Sequence, residues 1–338
     1  MKFYKNNKKK LKWLIFIILF FTGIKCFFPV NSVEYKYWDI FSQGISVAAL
    51  SPDGKLLAGG NNDGRIIIWN THSRKRIKIF QHNNISPGFI IFHPSKPWLI
   101  VADHKNTVTI WDYETNEKKS VIKINSDADT QIIRILISPD EKRMIICFRS
   151  YGEDLNICLQ EYNFETQKST MLDFCIHKDI LYSADISKDG PKIAIDKYIF
   201  HSNGYDLVQK IEHGNMIDDL FFLPDSKRIV TASSTTALNL HNIALWDVNT
   251  GKKLKGYVLH RGLDISKMAM IPGGRFAISA GEDYRVCIWE IETGNVIWSR
   301  RVGGIFSWVA VSNDGSKAVV TDWFGPLEID IESILKRF

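Results

Sequence analysis

Seven short turns of one kind recur along this chain, and their spacing restricts its fold more than any other feature. They read Ser51-Pro52-Asp53-Gly54, His93-Pro94-Ser95-Lys96, Ser138-Pro139-Asp140-Glu141 and Ser187-Lys188-Asp189-Gly190, then Leu223-Pro224-Asp225-Ser226, Ile271-Pro272-Gly273-Gly274 and Ser312-Asn313-Asp314-Gly315. Successive turns start 36 to 49 residues apart. Pro, Gly, Asp and Ser supply backbone geometry that strands lack, and the runs between the turns are rich in β-branched and aromatic residues. A period of this length in strand-rich sequence points to blades of four strands each. Seven turns mean seven blades. The expected fold is all-β, a seven-bladed β-propeller of four-stranded antiparallel blades over residues 33–338, preceded by an N-terminal hydrophobic helix.

The unit is plainest between His260 and Arg300. Ile265, Met268 and Met270 mark its first strand, Arg275 to Ser279 its second, Arg285 to Glu290 its third and Asn295 to Arg300 its fourth. The third strand recurs as Ile66-Ile67-Ile68-Trp69-Asn70, Val108-Thr109-Ile110-Trp111-Asp112, Ile243-Ala244-Leu245-Trp246-Asp247 and Val286-Cys287-Ile288-Trp289-Glu290. These residues resemble the WD-repeat (WD40) family, from about Val33 to the C-terminus. The resemblance implies a structural tetrad of His, Ser, Asp and Trp in each blade, which here would be His260, Ser279, Asp283 and Trp289. The first unit keeps Asp63 and Trp69 but has Gly59 at the Ser position. The second keeps Trp111 and His82, with Val101 and Lys105 in place of the Ser and Asp.

The third and fourth units, roughly Asp129 to Lys210, have no such Trp, and the fourth has the loosest strand pattern. Ala232 to Asn242 is longer than a tight turn requires and reads as an exposed hairpin loop. The last unit offers three strands, Phe306 to Val311, Lys317 to Val320 and Leu327 to Ile331. Val33 to Trp38 has no blade of its own and is expected to pair as the outer strand of the seventh, closing the ring.

The net charge of +6 belongs to the N-terminus. Seven lysines fall within the first 25 residues with no acid among them, leaving 36 basic against 37 acidic residues elsewhere. The folded part therefore has no electrostatic case for binding nucleic acid. Trp13 to Ile24 is an unbroken apolar run of 12 residues. As a helix it spans about 18 Å, and extension to Val30 gives about 27 Å against a hydrocarbon core of about 30 Å. Residues 1–30 thus read as a signal anchor that spans the membrane, or as a signal peptide. Phe21-Thr22-Gly23 and Ile24-Lys25-Cys26 are poor cleavage sites, which favours retention. The lysines would stay cytoplasmic and the propeller would lie outside the cytoplasm. Cleavage would instead give a secreted or periplasmic protein. Of the five cysteines, Cys147, Cys158 and Cys287 lie inside strands and read as unpaired, buried thiols.

No set of residues announces chemistry. The nine histidines lack metal-ligand spacing, and there is neither a G-x-S-x-G nor a phosphate-cradling glycine loop. The expectation is no catalytic, cofactor-binding or metal-binding residue, and a non-enzymatic scaffold for protein or peptide partners. The WD-repeat resemblance implies that partners bind the face built from the turns between second and third strands. The residue before the tetrad Asp points there: Asn62, His104, Glu282 and, in the last unit, Asp322, with Trp323 in the same turn. Trp308 falls on the innermost strand, equivalent to Val47 and Lys267, where it either fills the ring centre or anchors a partner. Two rivals remain. One is an extracytoplasmic propeller enzyme, a hydrolase or lactonase acting at the central channel, which the fold alone does not exclude. The inner strands, mostly apolar and serine-bearing, give it little support. The other is a structural ring inside a larger membrane assembly.

Overall fold

The recurring turns fold as their side chains require. The Ser51 hydroxyl donates to Asp53 Oδ1 at 2.7 Å and accepts from the Leu56 N–H at 2.8 Å, while Asp53 Oδ1 also accepts from the Lys55 N–H at 3.1 Å. The same net closes the turns at Ser138 and Ser312. In the second turn His93 replaces the serine, and its Nδ1 accepts from the N–H groups of Ser95 and Lys96 at 3.3 and 3.2 Å. In every turn but the second, the fourth residue has positive φ, whether it is Gly54 (66°), Glu141 (57°) or Ser226 (54°). The turn imposes that geometry, not the residue.

The computed structural model describes residues 45–338 except 125–128, 152–154, 178–181, 214–215, 234–241, 261–263, 303–307 and 323–324. The chain divides into a small unit, Met1–Lys36, and a large one, Tyr37–Phe338. Every described residue belongs to the large unit. The N-terminal hydrophobic helix and the closing strand at Val33 to Trp38 lie outside the described residues. Among the described residues no helix is long and apolar enough to cross a membrane.

The chain forms a seven-bladed propeller. The first strands are β1 (Ile45–Leu50), β5 (Pro87–Phe92), β9 (Thr130–Ile137), β13 (Ala184–Ile186), β17 (Ile217–Phe222), β21 (Ile265–Met270) and β25 (Trp308–Val311). Each heads an antiparallel sheet whose strands pair in chain order. Six sheets have four strands. The seventh, β25 with β26 (Lys317–Asp322) and β27 (Gly325–Asp330), has three among the described residues. Each first strand contacts the first strand of the next blade, and β1 contacts β25, so these strands form a closed cycle.

Alternation along the strands fills the seams between blades. In β22 (Phe276–Gly281), Phe276, Ile278 and Ala280 enter the seam with blade 7 while Ala277 enters the seam with blade 5. Among the described residues seven apolar clusters occupy the seven seams, the last joining Val319 of blade 7 to Ile45, Leu57 and Trp69 of blade 1. Cys147, Cys158 and Cys287 are buried, as expected of strand thiols, and Cys147 and Cys287 are free.

Two details differ from the sequence reading. The last strand ends at Asp330, and Ile331–Leu335 forms a short helix, α1, because Asp330 caps it by accepting from the Ser333 N–H at 2.9 Å. The loop after Ala232 lies largely outside the described residues, but its last residue, Asn242, is buried and not exposed. Its carbonyl accepts from the Leu259 N–H at 2.9 Å and its amide donates to the Leu259 carbonyl at 2.5 Å.

Candidate functional site

Blade 6 brings His260, Ser279 and Asp283 together. His260 is buried at the start of the blade, with Nδ1 2.8 Å from Asp283 Oδ1 and Nε2 2.7 Å from Ser279 Oγ. Burial alone would lower the His260 pKa, but hydrogen bonds to Asp283 and the Cys287 thiol outweigh it and raise it to about 9. The imidazolium then donates from both nitrogens. Burial would raise the Asp283 carboxyl, yet His260 and the Arg285 N–H bring it below its ordinary value. Trp289 lies fully buried in the seam with blade 5, and among the described residues its indole N–H has no acceptor. It packs in the seam without joining the hydrogen-bonded set.

The site has a second form in blade 2. His82 is buried, and its Nε2 lies 3.2 Å from Asp103 Oδ2, both side chains fully enclosed. Asp103 stands two residues before Lys105, at the position that is Gly281 in blade 6. Gly281 makes room for His260, because a Cβ there would fall 2.6 Å from His260 Nδ1. Gly59 likewise makes room in blade 1, where a Cβ would approach the Trp69 ring at 3.0 Å. Burial would raise the Asp103 carboxyl, but hydrogen bonds from His82 and the N–H groups of Thr107 and Lys105 hold it below its ordinary value. The sequence reading found Lys105 in place of the acid and missed that the acid had moved two residues back.

The strand-three aromatic is also more regular than its Trp suggests. Ladder register places Tyr162 of blade 3 and Phe200 of blade 4 at the position of Trp69, Trp111, Trp246 and Trp289. Each enters the seam with the preceding blade. In blade 5 the link is made by Thr231, whose Oγ1 accepts from Trp246 Nε1 at 2.8 Å.

Around the axis, a bulge in several first strands turns one side chain toward the next blade. Counted by register, these positions are Val47, Phe89, Arg134, Ser183, Asp219, Lys267 and Trp308. They divide into two arcs. Phe89 and Trp308 meet edge to face with centroids 5.3 Å apart, so Trp308 helps fill the centre. Opposite, Asp219 is 1% exposed and ties four blades: Oδ1 accepts from Ser183 Oγ at 2.8 Å and lies 3.8 Å from both Arg134 Nη1 and Lys267 Nζ, while Oδ2 accepts from the Met268 N–H at 2.8 Å. The inner strands are therefore more charged than an apolar and serine-bearing reading implied. The sequence shows these four residues but not the register that unites them. Two residues from Ser183, burial pushes the Asp185 carboxyl up to about 6 against the pull of the Phe222 N–H.

The expected partner-binding positions distribute as follows. Asn62, His104 and Glu282 are all exposed at equivalent places leading into the turn between strands two and three. Their imidazole, amide and carboxylate groups do not touch one another as a set; His104 stands against Gly88, and Ser86 Oγ lies 3.5 Å from Asn62 Oδ1. Asp322 pairs with Gly325 across a two-residue hairpin, which gives it the register of Asn61 and Asp103 and not that of Asn62. Trp323 lies outside the described residues. Register adds Arg149 of blade 3 to the positions of Asn62, His104 and Glu282. There β10 (Arg143–Tyr151) and β11 (Leu155–Asn163) run nine residues each, against six in blade 6. Arg149 lies over the rings of Tyr151 and Tyr182, 5.8 and 5.6 Å from their centroids, and donates to the Tyr151 hydroxyl at 3.1 Å. Both tyrosines are over 40% exposed.

On the opposite face, a cleft of about 300 Å³ opens between the turns of blades 3 and 4, lined by Ser138, Asp140, Asp189 and Ser202. Hydrogen bonding to Ser138 holds Asp140 below its ordinary value. Among the described residues no group of three His, Cys, Asp or Glu could hold a metal ion.

Comparison with known proteins agrees with this architecture. The model of the WD domain, G-beta repeat, matches residues 40–70. The chain is 28% identical over 103 residues to the small ribosomal subunit protein RACK1 of Glycine max, covering 30% of this chain and 31% of that protein. It is 31% identical over 116 residues to RACK1 of Drosophila melanogaster, covering 32% and 35% respectively. The target of rapamycin complex subunit wat1 of Schizosaccharomyces pombe is 23% identical over 210 residues, covering 56% of this chain and 62% of that protein. The matches to RACK1 proteins thus span about a quarter to a third of those relatives' own length. These similarities support the WD40 propeller family and suggest protein–protein interaction.

Proposed function

We propose that this chain is a non-enzymatic propeller scaffold that binds protein or peptide partners on the face carrying the turns between strands two and three. The observation that carries this reading is the contrast between constant and variable positions. Turn hubs, seam aromatics and the buried His82 and His260 sets hold the blades together, while the exposed position leading into the turn differs between blades 1, 2 and 6 (Asn62, His104 and Glu282), and the same register in blade 3 carries the half-buried Arg149. Exposed tyrosines bracketing an arginine are the residue types that dominate interface energetics. Two of the relatives' names describe subunits of larger assemblies, which supports the same reading. We further propose that residues 1–30 tether the propeller to a membrane, with the propeller outside the cytoplasm.

Affinity purification of the full chain from membranes, comparing wild type with Glu282→Arg, His104→Glu and Arg149→Glu, tests the binding face. An unchanged set of partners in all three variants would sink it. Fractionation of the same cells, with carbonate extraction, tests the tether.

A second reading, a hydrolase at the central channel, draws on one observation: a carboxyl pushed up to about 6 at Asp185 can exchange protons near neutrality. Its Oδ2 is engaged by the Phe222 N–H at 2.8 Å, which favours a structural role. Ester and lactone hydrolysis by the purified chain that disappears in Asp185→Asn would favour the enzyme.

A further inference from the structure

Blade 4 is the thinnest part of the ring, with strands of only three or four residues. Side chains stitch its inner strand to blade 5. Ser183 Oγ accepts from the Leu220 N–H at 3.1 Å and donates to Asp219 Oδ1 at 2.8 Å. Two residues on, Asp185 Oδ2 accepts from the Phe222 N–H at 2.8 Å. One seam therefore holds two carboxylates from adjacent blades. Arg134 of β9 acts on both, Lys267 of β21 faces Asp219, and Asp218 of β17 acts in turn on Lys267. Both cations converge on Asp219 Oδ1, each at 3.8 Å. Asp185 is left with backbone donors, the more distant Arg134 and the repelling charge of Asp219.

We propose that Asp185 is an acid-closed latch on the seam between blades 4 and 5, tightening blade 4 as it takes up a proton. Protonation removes the cost of holding a charged carboxyl in the seam, to which the nearby Asp219 charge adds, without breaking the Phe222 contact, because the neutral acid keeps an accepting oxygen. In the closed seam burial pushes Asp185 up to about 6. When the seam opens, the carboxyl returns toward its ordinary value of about 4. The closed state then binds the proton more tightly, so opening is rarest in acid, grows easier as pH rises through about 4 to 6, and levels off above. Linking those two values gives about tenfold more opening at pH 7.5 than at pH 5. The neighbouring Cys147 thiol, pushed up to about 12 by burial, stays neutral across this range. Tyr182 precedes Ser183 directly, so the latch also sets how firmly one ring of the Arg149 stack is held.

Hydrogen exchange read by mass spectrometry over residues 184–210 tests this in the full chain, held in detergent, at pH 5 and pH 7.5 after correction for intrinsic rates. Wild type should open about tenfold more often at pH 7.5. Asp185→Asn, an isostere of the protonated acid, should be protected equally at both pH values and near the wild-type acid level. Arg134→Gln removes a charge that favours the carboxylate and should move the midpoint to higher pH. Equal protection of wild type at the two pH values overturns the latch, as does a pH dependence that survives in Asp185→Asn. Should Asp185→Asn lose its sheet circular dichroism, an unmoved midpoint in Arg134→Gln overturns it.

Discussion

His82 Nε2 and Asp103 Oδ2 face each other at 3.2 Å with both side chains fully enclosed between blades 1 and 2. Asp103 also closes the following turn by accepting from the N–H groups of Lys105 and Thr107 at 2.9 and 3.0 Å. Removing it leaves a buried imidazole and two backbone donors without their partner, so Asp103→Ala should cost about 3 to 5 kcal/mol. Blade 6 suggests a rescue. Asp103→Gly combined with Lys105→Asp recreates the Gly281 and Asp283 arrangement and should recover a substantial part of the loss. Urea unfolding of the three variants checks this; a double variant no more stable than Asp103→Gly would mean that the two blades do not use equivalent geometry.

His260 and Asp283 give blade 6 a defined pH dependence. His260 is raised to about 9, so its contribution is complete below its ordinary value of about 6.5 and is lost as pH climbs through 9. Asp283 is lowered, so its contribution is present above the ordinary carboxylate range and is lost as pH falls below it. The pair therefore contributes most between about pH 4 and 6.5, and its loss toward pH 9 is on the order of 3 kcal/mol. Unfolding free energies of wild type and His260→Asn, measured from pH 5 to 9.5, should converge as pH rises. Parallel curves would show that His260 is not charged in the folded chain.

How much of this was legible beforehand follows from what each residue type can report. The turns were legible because Asp, Gly and Pro mark backbone geometry directly, and their spacing fixed the number of blades. His260, Ser279 and Asp283 were legible because one blade keeps all three. Asp103 was not, because a carboxylate can reach the same imidazole from two positions on opposite sides of a turn residue. Tyr162 and Phe200 were not, because a seam needs a large flat ring and accepts several. Arg149 was missed because β10 and β11 extend three residues beyond their counterparts, which displaces the turn from which the position is counted. The Asp219 cluster was least visible. Its members come from blades 3 to 6, and only bulge register brings Arg134, Ser183 and Lys267 to one carboxylate.

Asp219 holds that cluster by four contacts, and its Oδ1 is in ion-pair range of both cations. Asp219→Ala would leave Arg134 and Lys267 half-buried beside each other and release Ser183 Oγ and the Met268 N–H. A cost of about 3 to 5 kcal/mol is expected. Burial already depresses the Lys267 pKa, so adding Lys267→Met removes a charge that is costly to keep without Asp219. The double variant should be more stable than Asp219→Ala alone. Additive losses in thermal unfolding would instead place the two side chains in independent environments.

The tryptophans of blades 5 and 6 occupy equivalent seams but differ in one bond. Trp246 Nε1 donates to Thr231 Oγ1 at 2.8 Å, while the Trp289 indole N–H has no acceptor among the described residues. Trp to Phe keeps most of the ring and deletes the donor, so both variants lose packing area but only one loses a hydrogen bond. Trp246→Phe should therefore cost about 1 kcal/mol more than Trp289→Phe, the net worth of a neutral hydrogen bond plus part of the cost of leaving Thr231 unpaired. Thr231→Val tests the source of the difference. Trp246→Phe in a Thr231→Val background should cost no more than Trp289→Phe, because no acceptor is then left unpaired. If the gap between the two Phe variants persists in that background, packing of the larger ring accounts for it.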